Sequence, residues 1–232
     1  MVYVSIIIPT LNEADGIRRT LDSICVERLR GLGYDVEVIV VDGGSDDGTV
    51  DVAREWGARV VFEPVRGYGR AYLTGFRVAR GDVIVTGDGD GTYPFDVISR
   101  VLGFMEEYGL DFVSVNRFER FEEGAWHPIY FFGNRVLSFL VRVLFGLRVR
   151  DSQSGMWFFR RELLRKMRFV SSGMDFSTEI KLEAWRATKR FAEVPVFYRR
   201  RRGGVKKLHW FKDGLRILLF LLRKRVLMWL GL

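Results

Sequence analysis

The chain of 232 residues is 48% hydrophobic and carries a formal net charge of +8, with one cysteine and two histidines. This length and hydrophobic content are typical of one large domain that buries a sizeable core. A single cysteine excludes an internal disulfide and a cysteine-rich zinc module. The two histidines, His127 and His209, lie far apart in the sequence and disfavour a histidine-based metal site.

The positive charge is concentrated in the last part of the chain. Residues 199–232 contain eleven lysines and arginines and one aspartate, a net charge of +10, whereas residues 1–198 sum to −2. We therefore interpret the chain as a nearly neutral body with a basic tail. The first residues lack the basic flank and cleavage site of a signal peptide, and no apolar run approaches the ~20 residues of a membrane span. We expect neither feature.

Strand and helix signals alternate along the first half of the chain. Runs of β-branched residues predict buried strands, and apolar residues at helical spacing predict helices between them. The predicted strands cover 4–8, 36–41, 59–62 and 82–86, and the predicted helices begin near residues 14, 49 and 68. This alternation predicts an α/β fold with a mostly parallel, doubly wound sheet.

The second half is less regular. Its patterns predict helices at 95–108 and 176–187, strands at 111–115 and 192–198, and a turn at 150–155 that leads into the apolar run 156–159. Pro195 assigns the last strand to a sheet edge, because proline cannot donate a hydrogen bond to a central ladder. We place the body at 1–208 and a basic amphipathic tail helix at 209–232, with the boundary within 203–210.

Polar residues follow three of the predicted strands, at 9–13, 42–45 and 88–90. In doubly wound sheets, ligands bind outside the carboxyl ends of the strands. The topology therefore predicts that these three segments surround one cleft.

Asp88 and Asp90 flank Gly89 at the end of a buried strand. Two carboxylates in this arrangement can bind a hard divalent cation, and the glycines around them allow a diphosphate to approach the backbone. A cation there would neutralise the charge that builds on a departing nucleotide. The alternative interpretation is a solvated acidic turn, because short acidic patterns are common.

Asp42 ends a predicted strand and precedes two glycines. Its carboxylate can accept hydrogen bonds from a base or a ribose, or it can instead cap a helix. The glycine-rich segment 66–70 fits neither the P-loop nor the dinucleotide fingerprint, and Ser154 lies outside a nucleophile elbow. These mismatches disfavour a P-loop NTPase, a dinucleotide dehydrogenase and a serine hydrolase.

The ordered set of motifs resembles glycosyltransferase family 2, and most of all its dolichyl-phosphate (polyprenyl-phosphate) hexose synthases. The resemblance rests on segments 9–13, 41–49 and 88–94, with later matches at 133–134, 151–155 and 201–208. It extends over residues 3–208. Each motif alone is modest, but their order and spacing are specific.

The resemblance implies a GT-A fold and an inverting transferase that uses Mg²⁺ or Mn²⁺ and a nucleotide-diphosphate sugar. Asp88 and Asp90 would bind the metal and the diphosphate and, with Arg117, would be the catalytic residues. Arg117 and Arg135 would contact the phosphate of the acceptor. The nucleotide sugar would be bound by Pro9, Leu11, Glu13, Val40, Asp42, Asp88, Gly89, Asp90, Arg201 and Lys207.

Two segments depart from the family pattern. Val205 and Lys206 replace the usual glutamate and serine of the closing loop, and Thr92 stands where glutamine is frequent in mannosyl enzymes. The resemblance favours mannose, from GDP-mannose, as the transferred hexose; UDP-glucose and UDP-N-acetylglucosamine are the alternative donors. Asp151 has two interpretations, either as a residue that orients an arginine or the sugar, or as part of a structural turn.

The favoured acceptor is dolichyl or polyprenyl phosphate. An ionised phosphate is already a nucleophile and needs no general base, whereas a glycan hydroxyl would need a carboxylate base in the second half of the chain. A glycan or another lipid remains the alternative acceptor. The basic tail makes a nucleic-acid-binding module a remote third interpretation, against which stand the acidic motifs.

Two segments, 129–147 and 211–232, interleave apolar residues at helical spacing with arginine and lysine. A basic amphipathic helix with a terminal tryptophan suits the interface of an anionic bilayer. The alternatives are packing on the protein's own core or on a second subunit, so the oligomeric state stays open. We expect a peripheral enzyme at the cytoplasmic face of a membrane, with no nucleic acid as partner.

Overall fold

The computed structural model describes residues 1–201 and 209–229. Its centre is a seven-stranded sheet in the order β3-β2-β1-β4-β6-β5-β7. The strands are β1 (Val2–Thr10), β2 (Tyr34–Asp42), β3 (Arg59–Phe62), β4 (Val83–Thr86), β5 (Phe112–Phe121), β6 (Trp157–Arg160) and β7 (Phe191–Tyr198). The predicted α/β class is confirmed, and β7, which contains Pro195, lies at an edge of the sheet as predicted.

Helices cover both faces of the sheet, because the strands are apolar on both sides. Ile6 and Ile8 pack in one buried cluster, and Ile7 between them packs in a second cluster on the opposite face. The described helices are α1 (Ala14–Asp22), α2 (Val26–Gly31), α3 (Thr49–Trp56), α4 (Tyr68–Val78), α5 (Ile98–Glu107), α6 (Pro128–Phe145), α7 (Phe176–Ala187) and α8 (Trp210–Trp229). The sequence patterns missed the short helix α2.

One strand runs against the others and shapes the ligand cleft. β6 pairs antiparallel with both β4 and β5, whereas the remaining pairs are parallel. The start of β6 therefore lies at the same edge of the sheet as the end of β4. This brings residues 151–155, which precede β6, next to the Asp88–Asp90 segment, which follows β4.

Helices α6 and α8 pack against each other and form an additional layer on the body. Val141 of α6 and Ile217 and Leu221 of α8 are buried in a third apolar cluster with Leu182 of α7. The expectation that no segment has the length and composition of a membrane span is wrong for α6, which has both and is only 17% buried over that window. Length and composition alone do not distinguish a span from a helix that lies on a surface.

The basic residues of α8 divide into two groups. Lys224 forms ion pairs with Glu183 at 2.6 Å and with Glu179 at 3.7 Å, and Arg216 pairs with Asp175 at 3.3 Å. Both cations thus help to hold α8 on the body, and Lys224, whose side chain is 12% exposed, does not face an anionic bilayer as the basic amphipathic pattern suggests. Besides Arg216, whose side chain is 50% exposed, the exposed cations of α8 are Lys212, Arg223 and Arg225.

Candidate active site

The carboxyl ends of β1, β2 and β4 open into a cleft of about 380 Å³. Pro9, near the end of β1, and Leu11 and Glu13, which follow this strand, line the cleft together with Asp88, Gly89 and Asp90 after β4. The prediction of one shared cleft holds for these two segments, and Gly43 contributes from the end of β2. Residues from the second half of the chain form the opposite wall: Arg117, Trp126, Tyr130, Asn134, Gln153, Met174, Ser177, Tyr198 and Arg201.

Asp88 and Asp90 form the acidic centre of the cleft. The Asp88 carboxylate accepts hydrogen bonds from the hydroxyls of Tyr68 at 2.9 Å and Tyr72 at 3.4 Å. Burial, together with the negative charge of Asp90, raises the pKa of Asp88 to about 7. Asp90 is held by Thr92, whose hydroxyl donates to Oδ1 at 2.7 Å. Two carboxylates are thus kept close together in a poorly solvated place.

Arg201 lies over this acidic centre. Its guanidinium donates to Asp90 Oδ2 at 3.2 Å and also forms an ion pair with Glu13. It therefore bridges the segment after β1 and the segment after β4. Lys207, the other predicted residue of the closing loop, lies outside the described residues together with Val205 and Lys206.

Two glycines, Gly16 and Gly89, allow the Asp88–Asp90 segment to pack closely against α1 and β1. A Cβ at Gly16 would lie 2.8 Å from the Asp90 Cα, and a Cβ at Gly89 would lie 2.8 Å from the Thr10 methyl. A larger residue at Gly16 would displace the backbone of Gly89 and Asp90, and one at Gly89 would displace the side chains of Thr10 and Ile17. The close packing fixes the height of the Asp88–Asp90 segment at the floor of the cleft.

Three predicted binding residues lie away from the surface of the cleft. Val40 is fully buried inside β2, and Arg135 is exposed on α6 outside the lining. Asp42 is buried and accepts hydrogen bonds from the backbone N–H groups of Gly44 and Ser45 at 2.8 and 3.0 Å. Asp42 thus shapes the turn beside the cleft, and direct ligand contacts by these three residues stay predictions.

The opposite wall is built around a buried ion pair. Arg117 is 7% exposed and binds Asp151 through two bonds, Nε to Oδ2 at 2.6 Å and Nη2 to Oδ1 at 2.9 Å. Burial would raise the pKa of Asp151, but the charge and hydrogen bonds of Arg117 outweigh it and keep the pKa below its usual value. Of the two interpretations left open for Asp151, this geometry matches the one in which it orients an arginine.

Aromatic rings enclose the Arg117 guanidinium. Its carbon lies 5.0 Å from the ring centroid of Trp126, 5.3 Å from that of Tyr198 and 5.9 Å from that of Tyr93. Such contacts stabilise a cation while keeping water away from it. The arginine is therefore a fixed positive charge at the cleft wall rather than a mobile side chain.

The sequence patterns missed several residues that form the site. Tyr68 lies in the glycine-rich segment 66–70, which fitted no phosphate-loop pattern, yet it lines the cleft and contacts Asp88. Lys181 is fully buried and donates to the backbone carbonyls of Asp151 and Ser154, both at 2.9 Å. Its only sequence signal was a lysine on the apolar face of a predicted helix.

The fold and the cleft define a class: α/β proteins in which two carboxylates after a central strand face a nucleotide-binding strand end, as in nucleotide-sugar transferases. Residues 5–168 match the sequence model of the family described as glycosyl transferase family 2. The chain therefore belongs to glycosyl transferase family 2. Its fold is the GT-A fold, and its activity class is glycosyl transfer.

Two curated relatives come from Haloferax volcanii. The chain is 34% identical over 223 residues to the low-salt glycan biosynthesis hexosyltransferase Agl6, covering 94% of this chain and 52% of the relative. It thus spans about half the length of that protein. It is 33% identical over 202 residues to a dolichyl-phosphate hexose transferase, covering 87% of this chain and 85% of the relative.

A solved structure supports the same fold. Glucosyl-3-phosphoglycerate synthase from Mycobacterium tuberculosis, crystallised with Mn²⁺, uridine diphosphate and glucosyl-3-phosphoglycerate, superposes with a TM-score of 0.74 at 26% identity. The match covers 97% of this chain and 80% of the synthase chain.

Proposed function

We propose that the protein transfers a hexose from a nucleotide-diphosphate sugar to a polyprenyl phosphate, with inversion at the sugar carbon. One observation carries this proposal. Of the described residues, the carboxylates that line the cleft (Glu13, Glu63, Asp88 and Asp90) all belong to the first 90 residues, which we assign to the donor. The opposite wall contains Arg117 instead. A wall with a cation and no carboxylate suits a phosphate nucleophile, which needs no general base.

Two fully buried acidic residues of the second half, Asp151 and Glu179, bind other partners. Asp151 is fully buried against Arg117, and Glu179 is fully buried, accepting hydrogen bonds from the backbone N–H groups of Val170 and Ser171. Neither lines the cleft. A hydroxyl acceptor would therefore lack a carboxylate base on the wall that contains Arg117, within the described part of the chain.

The carboxylates of Asp88 and Asp90 suit a divalent cation that shares its remaining ligands with a substrate. Among the described residues, no group of three or more potential metal-binding side chains occurs. Mg²⁺ and Mn²⁺ are commonly held by one or two carboxylates together with phosphate oxygens, so two carboxylates are a sufficient donor set. When bound there, such a metal would neutralise the charge of the leaving diphosphate.

The chain's own residues supply positioning and charge. Arg201 neutralises Glu13 and Asp90 and lies where the diphosphate would enter, while Arg117 orients the acceptor phosphate from the opposite wall. Holding the two reactants in line removes most of the entropic barrier to transfer. Lys207 would add a second cation over the diphosphate, as the family pattern implies.

Two donors are supported by different observations. The sequence resemblance favours GDP-mannose, whereas the Mycobacterium tuberculosis synthase was crystallised with uridine diphosphate. We retain GDP-mannose as the proposed donor and UDP-glucose as its competitor. A thermal-shift comparison of GDP-mannose, UDP-glucose and UDP-N-acetylglucosamine with Mn²⁺ separates them, because the bound donor raises the unfolding temperature most.

A radiolabel assay tests the acceptor. The protein is incubated with each labelled donor, Mg²⁺ or Mn²⁺, and one of three acceptors: polyprenyl phosphate, 3-phosphoglycerate or a free glycan. We expect labelled product with polyprenyl phosphate. Transfer to 3-phosphoglycerate or to the glycan, with none to polyprenyl phosphate, would contradict the proposal.

We further propose that the outer faces of α6 and α8 lie on an anionic membrane. Phe132, Phe139 and Val143 of α6 are 54–70% exposed, and Trp229 at the end of α8 is 79% exposed. The exposed cations of α8 suit acidic headgroups. Since Tyr130 and Asn134 of α6 also line the cleft, this face would bring a membrane-bound acceptor phosphate to Arg117. We propose the cytoplasmic side of the membrane as the location, because the soluble nucleotide sugars occur there.

A further inference from the structure

The loop of residues 151–155 connects the two halves of the cleft. At its first residue, Asp151 binds the Arg117 guanidinium at 2.6 and 2.9 Å. At its last residue, a Cβ on Gly155 would lie 3.2 Å from Asp88 Oδ1. The loop thus runs from the proposed acceptor-binding arginine to the proposed metal-binding carboxylate. A hexose that leaves the diphosphate at Asp88 for a phosphate at Arg117 has to lie beside the middle of this loop.

A buried lysine fixes the shape of the loop. Lys181 Nζ donates to the carbonyls of Asp151 and Ser154 at 2.9 Å each and to the Ser154 hydroxyl at 3.1 Å. On the other side, the Ser152 N–H donates to the Ser138 hydroxyl of α6 at 2.9 Å. Residues 151, 152 and 154 of the loop are therefore bound to side chains of α6 and α7, so the side chains of the loop have defined directions.

Gln153, at the centre of the loop, lines the cleft. Its side-chain nitrogen donates to the hydroxyls of Thr178 at 2.5 Å and Ser152 at 3.1 Å, and its backbone N–H donates to Asp151 Oδ1 at 3.2 Å. Within residues 1–201 and 209–229, its side-chain carbonyl oxygen has no hydrogen-bond partner. The amide is thus oriented by its nitrogen and keeps one acceptor for a ligand.

We infer that the side-chain carbonyl oxygen of Gln153 accepts a hydrogen bond from a hydroxyl group of the transferred hexose and helps to select the hexose. Lys181 is a positioning residue that holds Gln153 through the loop. A neutral amide suits this place, because a carboxylate would add negative charge between two phosphate groups. No covalent step involves Gln153. This inference rests on the proposed function and names a residue that reads the sugar.

Kinetics of the Gln153→Met variant test the contact. Methionine keeps the length of the side chain and removes its acceptor, so kcat/KM for the preferred donor should fall about tenfold, the value of one neutral hydrogen bond. Donors deoxygenated at C2, C3, C4 or C6 locate the hydroxyl. For the donor that lacks the contacted hydroxyl, wild type and variant should have equal kcat/KM. An equal loss for every deoxy donor would overturn the inference.

A binding experiment gives a second readout that does not depend on turnover. Gln153 is the only glutamine of the chain, so protein labelled with ¹⁵N-glutamine has one glutamine side-chain amide signal, identified by its loss in Gln153→Met. With Mg²⁺ present, GDP-mannose or UDP-glucose should shift this signal beyond the shift caused by GDP or UDP alone. Identical shifts with the nucleotide and the nucleotide sugar would overturn the inference.

The two proposals fail in different ways. If wild type transfers hexose to no polyprenyl phosphate, the proposed function is wrong, and the amide signal still decides whether Gln153 contacts the sugar. If transfer occurs but the signal and the deoxy series show no sugar contact, only the inference about Gln153 is wrong. Lys181→Met should lower kcat/KM with the same dependence on the deoxy donors as Gln153→Met, while the Kd of GDP or UDP stays within twofold of wild type. A wild-type dependence on the deoxy donors in Lys181→Met would remove Lys181 from the inference.

Discussion

Arg117 is held in place by a single carboxylate, Asp151, which is fully buried. Asp151→Asn would leave a buried guanidinium without its counter-charge, so we expect the free energy of unfolding to fall by about 3–5 kcal/mol. Urea denaturation at pH 7 measures the loss. The control is Asp22→Asn, which changes an exposed aspartate and should stay within about 0.5 kcal/mol of wild type. A similar effect of both variants would contradict the role of the ion pair.

Asp90 contacts Thr92 and Arg201 and faces the proposed metal position. Asp90→Ala should abolish sugar transfer while the far-ultraviolet circular dichroism spectrum stays that of wild type, because the segment is also fixed by its close backbone packing on Gly16. Turnover is measured with the radiolabel assay, and Asp22→Ala serves as the exposed control. Unchanged turnover in Asp90→Ala would refute the metal assignment.

Lys181 gives stability a distinctive pH dependence. Burial lowers its pKa to about 7 in spite of the nearby Asp151 charge, against an ordinary value of 10.5. Between these values the unfolded chain binds more protons than the folded one, so the free energy of unfolding rises as pH increases. In Lys181→Met, the rise from pH 7 to pH 9 should be smaller than in wild type, as measured by urea denaturation. Lys166→Met, at an exposed lysine, should keep the wild-type slope.

At the scale of elements, α8 is attached to the body by apolar contacts and by Lys224. This lysine is 12% exposed and lies between Glu179 and Glu183 of α7, both of which are buried. Its loss would leave two buried carboxylates without their common cation, so Lys224→Met should increase amide hydrogen exchange along α8 about tenfold or more. The neighbouring Arg225, which is exposed, provides the matched control Arg225→Met. Equal exchange in the two variants would show that Lys224 does not contribute to holding α8 on the body.

The proposed membrane attachment depends on α6 and α8 together, because these two helices pack against each other on the body. The protein should float with anionic liposomes at low salt, because α6 and α8 expose apolar side chains and α8 also exposes cations. Replacing Phe132 and Phe139 together by glutamate should abolish flotation. Tyr108→Glu, at a residue 60% exposed at the end of α5, should not affect it. Absence of wild-type binding would refute the membrane face.

The same experiment addresses the remote nucleic-acid interpretation. Added RNA should leave the protein on the liposomes, because the apolar faces of α6 and α8 have no complement in RNA. Release of the protein by RNA would instead favour a nucleic-acid partner for the basic residues. The charge that is concentrated after residue 198 thus has distinct partners: Arg201 contacts Glu13 and Asp90, Arg216 and Lys224 contact α7 or the segment before it, and three cations of α8 face outward.

Local sequence patterns were enough to predict the alternating α/β elements, the cleft residues after β1 and β4, the edge position of β7 and the amphipathic character of α6 and α8. These features depend on local periodicity, on proline and on the rule that ligands bind at the carboxyl ends of strands, all of which can be recognised without knowing the partners of each residue.

Long-range packing set the antiparallel direction of β6, the pairing of Arg117 with Asp151, the burial of Lys181 under the 151–155 loop and the division of the tail cations between protein and solvent. The direction of β6 depends on backbone pairing between distant segments. The other three features depend on which residues meet across about 30 or more residues of chain, and a charged side chain carries no local signal of its partner. The sequence therefore indicated what kind of site to expect, and the packing decided which residues hold it together.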